Sequence, residues 1–190
     1  MSKILISGYY GFANAGDEAM LTAIIESLRQ VEKNVELTVL SGNPEDTAAK
    51  HQVCSVYRFN PLGIIRAMKD SELIISGGGS LLQDVTSKRS LLYYLSIIGL
   101  GKFFGKKVML FAQGIGPIRA KWARKLTSLV CNEADLITVR DSESAAELIE
   151  MGVKPEKITV TADSVLSLNP VTKECGQYLL QEAGVDLTKP

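Results

Sequence analysis

Short apolar runs separated by longer stretches of helical periodicity recur along the whole chain, and this alternation restricts the fold more than any other property of the sequence. Seven runs read as strands: Lys3–Ser7, Val35–Leu40, Gln52–Tyr57, Leu73–Ser76, Lys107–Ala112, Leu136–Val139 and Lys157–Thr161. Helices are expected between them at Asp17–Gln30, Pro61–Lys69, Lys88–Phe104, Arg119–Glu133 and Ser142–Met151, with a helical turn near Pro44–Lys50. Most of the strand candidates are continuous apolar runs, the pattern of strands covered on both faces. The alternation therefore predicts βα units in an α/β fold with a mostly parallel sheet.

Local signals agree. Met20, Leu21, Ile24, Ile25 and Leu28 share one helical face, which should pack on the sheet. Gly152 follows Ala145, Leu148 and Ile149 as a stop, and Pro155 blocks continuation. At 190 residues, the chain can bury roughly 70% of its unfolded surface without metal or disulfide. One domain is expected over residues 1–170. Residues 171–190 read as a terminal amphipathic helix and the start of a linker, because Thr-Lys-Pro after a helix resembles a domain boundary.

Charge and cysteine content narrow the function. With 21 Lys+Arg against 21 Asp+Glu, bulk electrostatics favour neither nucleic acid nor an anionic membrane as partner. Cys54, Cys131 and Cys175 form no CxxC pair, so buried free thiols in a reducing compartment are expected, with no metal site. The start MSKILISGYYGF lacks a signal-peptide apolar core. Leu91–Phe104 is interrupted by Gly99, Gly101 and Lys102, falls short of the roughly 20 residues of a membrane span, and reads as a buried helix. The adjacent pairs Tyr93-Tyr94 and Phe103-Phe104 read as core. His51 is the single histidine, so acid–base chemistry falls to carboxylates, Tyr, Lys or Cys unless His51 lies in the site.

The chemistry should sit where strands run into helices. Gly8 to Met20 follows the first strand, and such turns gather backbone amides and a positive helix end. Gly8, Gly11 and Gly16 do not give GxGxxG, and the second strand does not end on an acid. Gly11 to Gly16 has the spacing of a P-loop, but Asp17-Glu18 follow in place of Lys-Ser/Thr, and two carboxylates repel a phosphate. Asp17 or Glu18 either caps the helix or, held ionised at its N-terminus, binds or deprotonates a sugar hydroxyl. Gly77-Gly78-Gly79-Ser80, Gln113-Gly114-Ile115-Gly116-Pro117 and Arg140-Asp141-Ser142-Glu143 follow three further strands. The three consecutive glycines are expected to admit a ligand or another backbone. In a parallel sheet these four turns line one crevice. Asp141 or, preferably, Ser142 reads as a helix cap, while Arg140 suits a phosphate, a carboxylate or a structural Asp. Asp163 is a comparable position with no independent signal.

GFANAGDEA, SGGGSLLQD, AQGIGP, VRDSES and TADS, in this order and at these separations, resemble the polysaccharide pyruvyl transferase family, and within it the CsaB subgroup. The resemblance implies the N-terminal half of a two-domain, glycosyltransferase-B-like (GT-B-like) protein of Rossmann-like domains, whose C-terminal donor domain is absent from this chain. It implies transfer of a pyruvyl group from phosphoenolpyruvate to two hydroxyls of a sugar, an N-acetylmannosamine on a lipid-linked cell-wall precursor, with a product that anchors surface-layer proteins. By position, Asn14, Gly16, Asp17 and Glu18 carry the first motif, Gly77, Gly78 and Gly79 the second, Gln113, Gly114, Gly116 and Pro117 the third, and Arg140 and Asp141 the fourth. Asp17 and Arg140 are the expected catalytic residues and the others line the substrate. No cofactor is expected. The missing domain should supply the remaining cations and a His. The protein is expected in the cytoplasm, touching the inner face of the membrane where its acceptor resides.

Overall fold

A computed structural model describes residues 1–170 and 172–185. The last five residues of the expected linker, 186–190, lie outside the described residues. The strands are β1 (Lys3–Ser7), β2 (Glu36–Ser41), β3 (Cys54–Tyr57), β4 (Leu73–Ser76), β5 (Gly79–Leu82), β6 (Lys107–Ile115), β7 (Leu136–Val139) and β8 (Ile158–Val160). The helices are α1 (Ala15–Val31), α2 (Pro44–His51), α3 (Pro61–Asp70), α4 (Lys88–Phe103), α5 (Lys121–Glu133), α6 (Ser142–Glu150) and α7 (Lys173–Glu182). All strand pairings are parallel, in the order β3-β2-β1-β4-β6-β7-β8, and β5 adds to the end of β6. This is the Rossmann-like α/β fold that the alternating pattern and the resemblance anticipate.

The order reverses between β1 and β4, where the chain first winds outward to β3 and then returns to build the other wing. That reversal opens a crevice at the carboxyl ends of the strands, the usual ligand position in open α/β sheets. Apolar layers cover both faces. Leu21, Ile24 and Ile25 of α1 pack on Ile4, Ile6, Val39 and Ile75. On the opposite face α3 to α6 pack Met68, Leu95, Ile98, Cys131 and Leu148 over Leu5, Ile74, Val108 and Leu110.

The structure revises several expectations. Gly77 to Ser80 is not a simple turn, because Gly79 takes φ +97 and starts β5. Strand β6 runs on through Gln113 and Gly114 to Ile115, bulged where its register to β5 and β7 shifts. Of the thiols only Cys131 is buried, whereas Cys54 and Cys175 are exposed. Burial pushes the Cys131 thiol up to about 12, so it stays protonated. Helix α4 buries Leu91, Tyr94, Leu95, Ile97 and Ile98 as expected, yet Phe103 is exposed rather than core. Among the described residues, no helix is long and apolar enough to cross a membrane.

Candidate functional site

The loop between β1 and α1 is built from its own side chains. Gly11 has φ +77, and a Cβ there would stand 2.1 Å from Ser41 Oγ, so only glycine fits. Ala13 is also left-handed, at φ 56, a strain tolerated only where the surroundings fix it. Asn14, not Asp17 or Glu18, caps α1, accepting from the N–H groups of Gly16 and Asp17. Glu18 folds back on the loop, with Oε1 accepting from the Gly11 N–H at 2.8 Å and Oε2 standing 3.5 Å from His51 Nε2. His51 therefore braces the first helix and does not line the crevice.

With Asn14 and Glu18 so engaged, Asp17 is the acidic side chain of this motif that faces the crevice. It lines a cleft of about 370 Å³ with Tyr9, Ser80, Leu81, Gln83, Thr86, Ser90 and Tyr94. Burial, reinforced by the neighbouring Glu18 carboxylate, raises the Asp17 carboxyl above its ordinary value. Position at a helix N-terminus suggested the opposite shift; burial and the Glu18 charge set the direction here. A carboxylate with a raised pKa is a stronger base once ionised, and better suited to take a proton from a hydroxyl.

Gly77, Gly78 and Gly79 are buried, and neighbouring side chains approach each of them closely. A Cβ on Gly77 would lie 2.1 Å from the Tyr10 hydroxyl, one on Gly78 3.2 Å from Met20 Sδ, and one on Gly79 3.3 Å from Asp17 Oδ1. The triplet lets Tyr10 and α1 close over the end of β4 and brings Asp17 to the mouth of β5. Gln113 is fully buried and its amide donates to the carbonyls of Ser76 and Gly77, pinning β6 to the end of β4.

A second depression of about 400 Å³ lies on the other side of β6, lined by Gly114, Ile115, Gly116, Pro117, Arg140, Asp141, Glu143, Ser144 and Glu147. Gly114 is where the Arg140 guanidinium lies flat, 2.8 Å from where a Cβ would stand, and Gly116 admits the Gln83 side chain. Arg140 donates to Asp163 at 3.2 Å, Asp141 at 3.4 Å and Ser80 at 3.3 Å. The last bond reaches a lining residue of the first cleft, so Arg140 stands between the two depressions. Asp141, rather than Ser142, caps α6, its Oδ1 accepting from the Ser144 N–H at 2.7 Å, and the Ser144 bonds hold its carboxyl below the usual range. The four motifs thus converge on one sheet edge but form two adjoining hollows, and Asn14, Gly16, Glu18, Gly77, Gly78 and Gln113 act on the loops around them. Among the described residues, no cluster of three or more His, Cys, Asp or Glu side chains is assembled.

Sequence reasoning missed Arg58. It lies just past β3 and is 5% exposed. Its guanidinium carbon stands 4.3 to 6.0 Å from the ring centroids of Tyr9, Phe12, Phe59, Tyr93 and Tyr94. The available signal was Tyr57-Arg58-Phe59 at a strand end, a cation between aromatics beside the crevice.

A family model described as polysaccharide pyruvyl transferase matches residues 14–176. The chain belongs to the polysaccharide pyruvyl transferase family. This is an enzyme family of transferases, and the match takes in the first motif from Asn14 onward and the other three strand-end motifs entirely. Among curated proteins, none matches the chain significantly. Solved structures share the fold of this chain at low identity. HepE of Anabaena, in complex with UDP-glucose, has a TM-score of 0.62 and 14% identity over 97% of this chain and 50% of its own. A Rickettsia africae glycosyltransferase matches with a TM-score of 0.56 and 12% identity over 100% of this chain and 51% of its own. UDP-GlcNAc 2-epimerase of Neisseria meningitidis, bound to UDP-GlcNAc, gives 0.55 and 13% over 97% and 52%. The chain thus spans about half the length of these structures.

Proposed function

We propose that this chain is the acceptor-side half of a pyruvyltransferase that makes a cyclic ketal from phosphoenolpyruvate and two hydroxyls of a sugar. Residues 1–170 form the acceptor domain, and a C-terminal donor domain completes the site. Family membership supports the reaction class. The observation that carries the assignment of this half is Asp17, a carboxylate with a raised pKa in a cleft whose described lining residues include no Lys, Arg or His. Such a cleft suits a neutral hydroxylated ring better than a phosphate. Helix α7, with no buried residue and with Tyr178, Leu179 and Leu180 exposed, fits a segment that packs against a further domain.

In ketal formation both sugar oxygens bond to the donor's central carbon and the phosphate leaves. One hydroxyl proton passes to the methylene carbon and the other departs with the phosphate. Asp17 removes a proton from an attacking hydroxyl. Arg140 meets the donor's phosphate or carboxylate: a guanidinium has five N–H donors, and Asp141, Asp163 and Ser80 occupy three. The other two remain for substrate. The donor domain supplies the acid that protonates the methylene and further cations.

The ordered motifs support a finer reading within the CsaB subgroup: an N-acetylmannosamine-type acceptor on a lipid-linked cell-wall precursor, used to anchor surface-layer proteins. On this reading the enzyme works in the cytoplasm, against the inner membrane face. The test incubates full-length protein with phosphoenolpyruvate and an N-acetylmannosaminyl diphospholipid, following phosphate release and a mass gain on the sugar. Both are expected. Turnover of a UDP-sugar with no pyruvylated product would overturn the proposal in favour of a nucleotide-sugar glycosyltransferase. Saccharide binding with no turnover of either donor would leave a glycan-binding protein.

A further inference from the structure

We infer that Tyr9 and Phe12 form an aromatic platform for the ring of a neutral saccharide, held in position by the buried Arg58. The inference deepens the acceptor reading above and rests on it only for the identity of the sugar.

Tyr9 and Phe12 stack with ring centroids 4.4 Å apart and planes 13° from parallel. Both are about two-fifths exposed. Tyr9 lines the cleft of Asp17 and Phe12 does not, so Phe12 backs one face of Tyr9 and Tyr9 is the ring of the stack that the cleft meets. The loop that sets this stack is the strained one between Gly11 and Asn14. Gly42 lies under the Phe12 ring, 2.6 Å from where a Cβ would stand. A flexible surface loop needs none of these constraints; a surface that must stay flat does.

Arg58 supplies the rigidity. Among the described residues it makes no ion pair with a carboxylate and its Nε has no hydrogen-bond partner. Its Nη1 donates to the Tyr94 hydroxyl at 3.5 Å. A buried guanidinium without a counter-ion is costly, and the surrounding rings, Tyr93 nearest at 4.3 Å, offset part of that cost. Moving Tyr9 or Phe12 would uncover the cation, which fixes both rings.

The ligand class follows from what surrounds the platform. A pyranose has an apolar C–H face and a rim of hydroxyls, and an aromatic wall with a few placed polar groups is the matching surface. Asp17, Ser80, Gln83, Thr86 and Ser90 provide those groups. A nucleobase also stacks on tyrosine, but the polar side chains lining this cleft are Asp17 and neutral groups, which favours an uncharged ring over a nucleotide.

The test titrates full-length protein with the methyl glycoside of N-acetylmannosamine, without donor, by calorimetry. Tyr9→Phe should bind within about twofold of wild type and Tyr9→Leu roughly tenfold more weakly, the loss expected for one aromatic contact. Arg58→Lys, retaining a cooperative melt, should raise the acceptor KM with little change in kcat. Equal binding by Tyr9→Leu and wild type overturns the platform, as does tighter binding of UMP than of the glycoside when that binding depends on Tyr9. A normal acceptor KM in Arg58→Lys overturns the positioning role of Arg58. Tyr9-dependent glycoside binding by a protein that turns over UDP-sugar instead of phosphoenolpyruvate leaves the platform standing and removes the pyruvyl reading.

Discussion

Arg140 reaches Asp163 across 3.2 Å, joining the end of β7 to the loop after β8. The contact is about one-third exposed on both sides, so it contributes at most about 1 kcal/mol to stability. Arg140→Ala should therefore abolish transfer, a fall beyond about 10²-fold in kcat/KM, while the melting temperature barely moves. Gly114→Ala should act similarly by pushing the guanidinium off the strand it lies on. Enzyme assays and thermal melts on both variants check this; near-normal rates return Arg140 to a structural role.

Asp17 makes a prediction in which stability and activity move in opposite directions. Its folded pKa is raised above the unfolded value, so between the two values the folded state binds more protons and stability falls as pH rises. Asp17→Asn should abolish transfer yet stabilise the domain at neutral pH. That gain should vanish as pH falls toward the ordinary aspartate value. Melting curves from pH 3 to pH 8 test the sign. The acid limb of the wild-type rate should also lie above that of an ordinary aspartate.

Asp135 behaves in the reverse sense at the opposite edge of the sheet. Although desolvation acts to raise it, hydrogen bonds from Lys102 and the Val108 N–H bring its carboxyl down to about 2. The resulting stability is present above the unfolded value and is lost as pH falls from there toward 2. Asp135→Asn should cost roughly 1–2 kcal/mol at neutral pH after allowance for solvent screening. Denaturant titration measures it, and turnover per folded molecule should be unchanged.

Gly77→Ala should destabilise by roughly 1–3 kcal/mol through overpacking against the Tyr10 hydroxyl. Adding Tyr10→Phe should recover part of the loss. The recovery stays partial because Ile24 Cδ1 also lies 3.1 Å from the new methyl group. A double-mutant cycle in denaturant reads the coupling.

The regular part of the fold was legible because period and burial coincide: Leu21, Ile24 and Ile25 mark the buried face of α1 by their spacing alone. What escaped were backbone choices that depend on distant partners. Gly79 opens a strand because the end of β6 is there to pair with, and Gln113 looks like a turn residue until its amide meets the Ser76 and Gly77 carbonyls. The first motif reads as one cluster of polar residues, yet its members divide by direction: Asn14 caps, Glu18 latches the loop and Asp17 faces the cleft. Arg58 was invisible for the same reason, since its rings come from three separate segments of the chain.

Strand β6 separates the two hollows. Ser80 and Leu81 of the first sit on β5, and Gly114 and Ile115 of the second on β6, with Gly79 and Leu82 of β5 paired to Gln113 and Ile115. The hollows therefore adjoin across the β5–β6 pairing. A rung of backbone hydrogen bonds acts as the ruler between whatever each hollow holds. Loop changes can reshape either hollow while the paired strands keep the two in register.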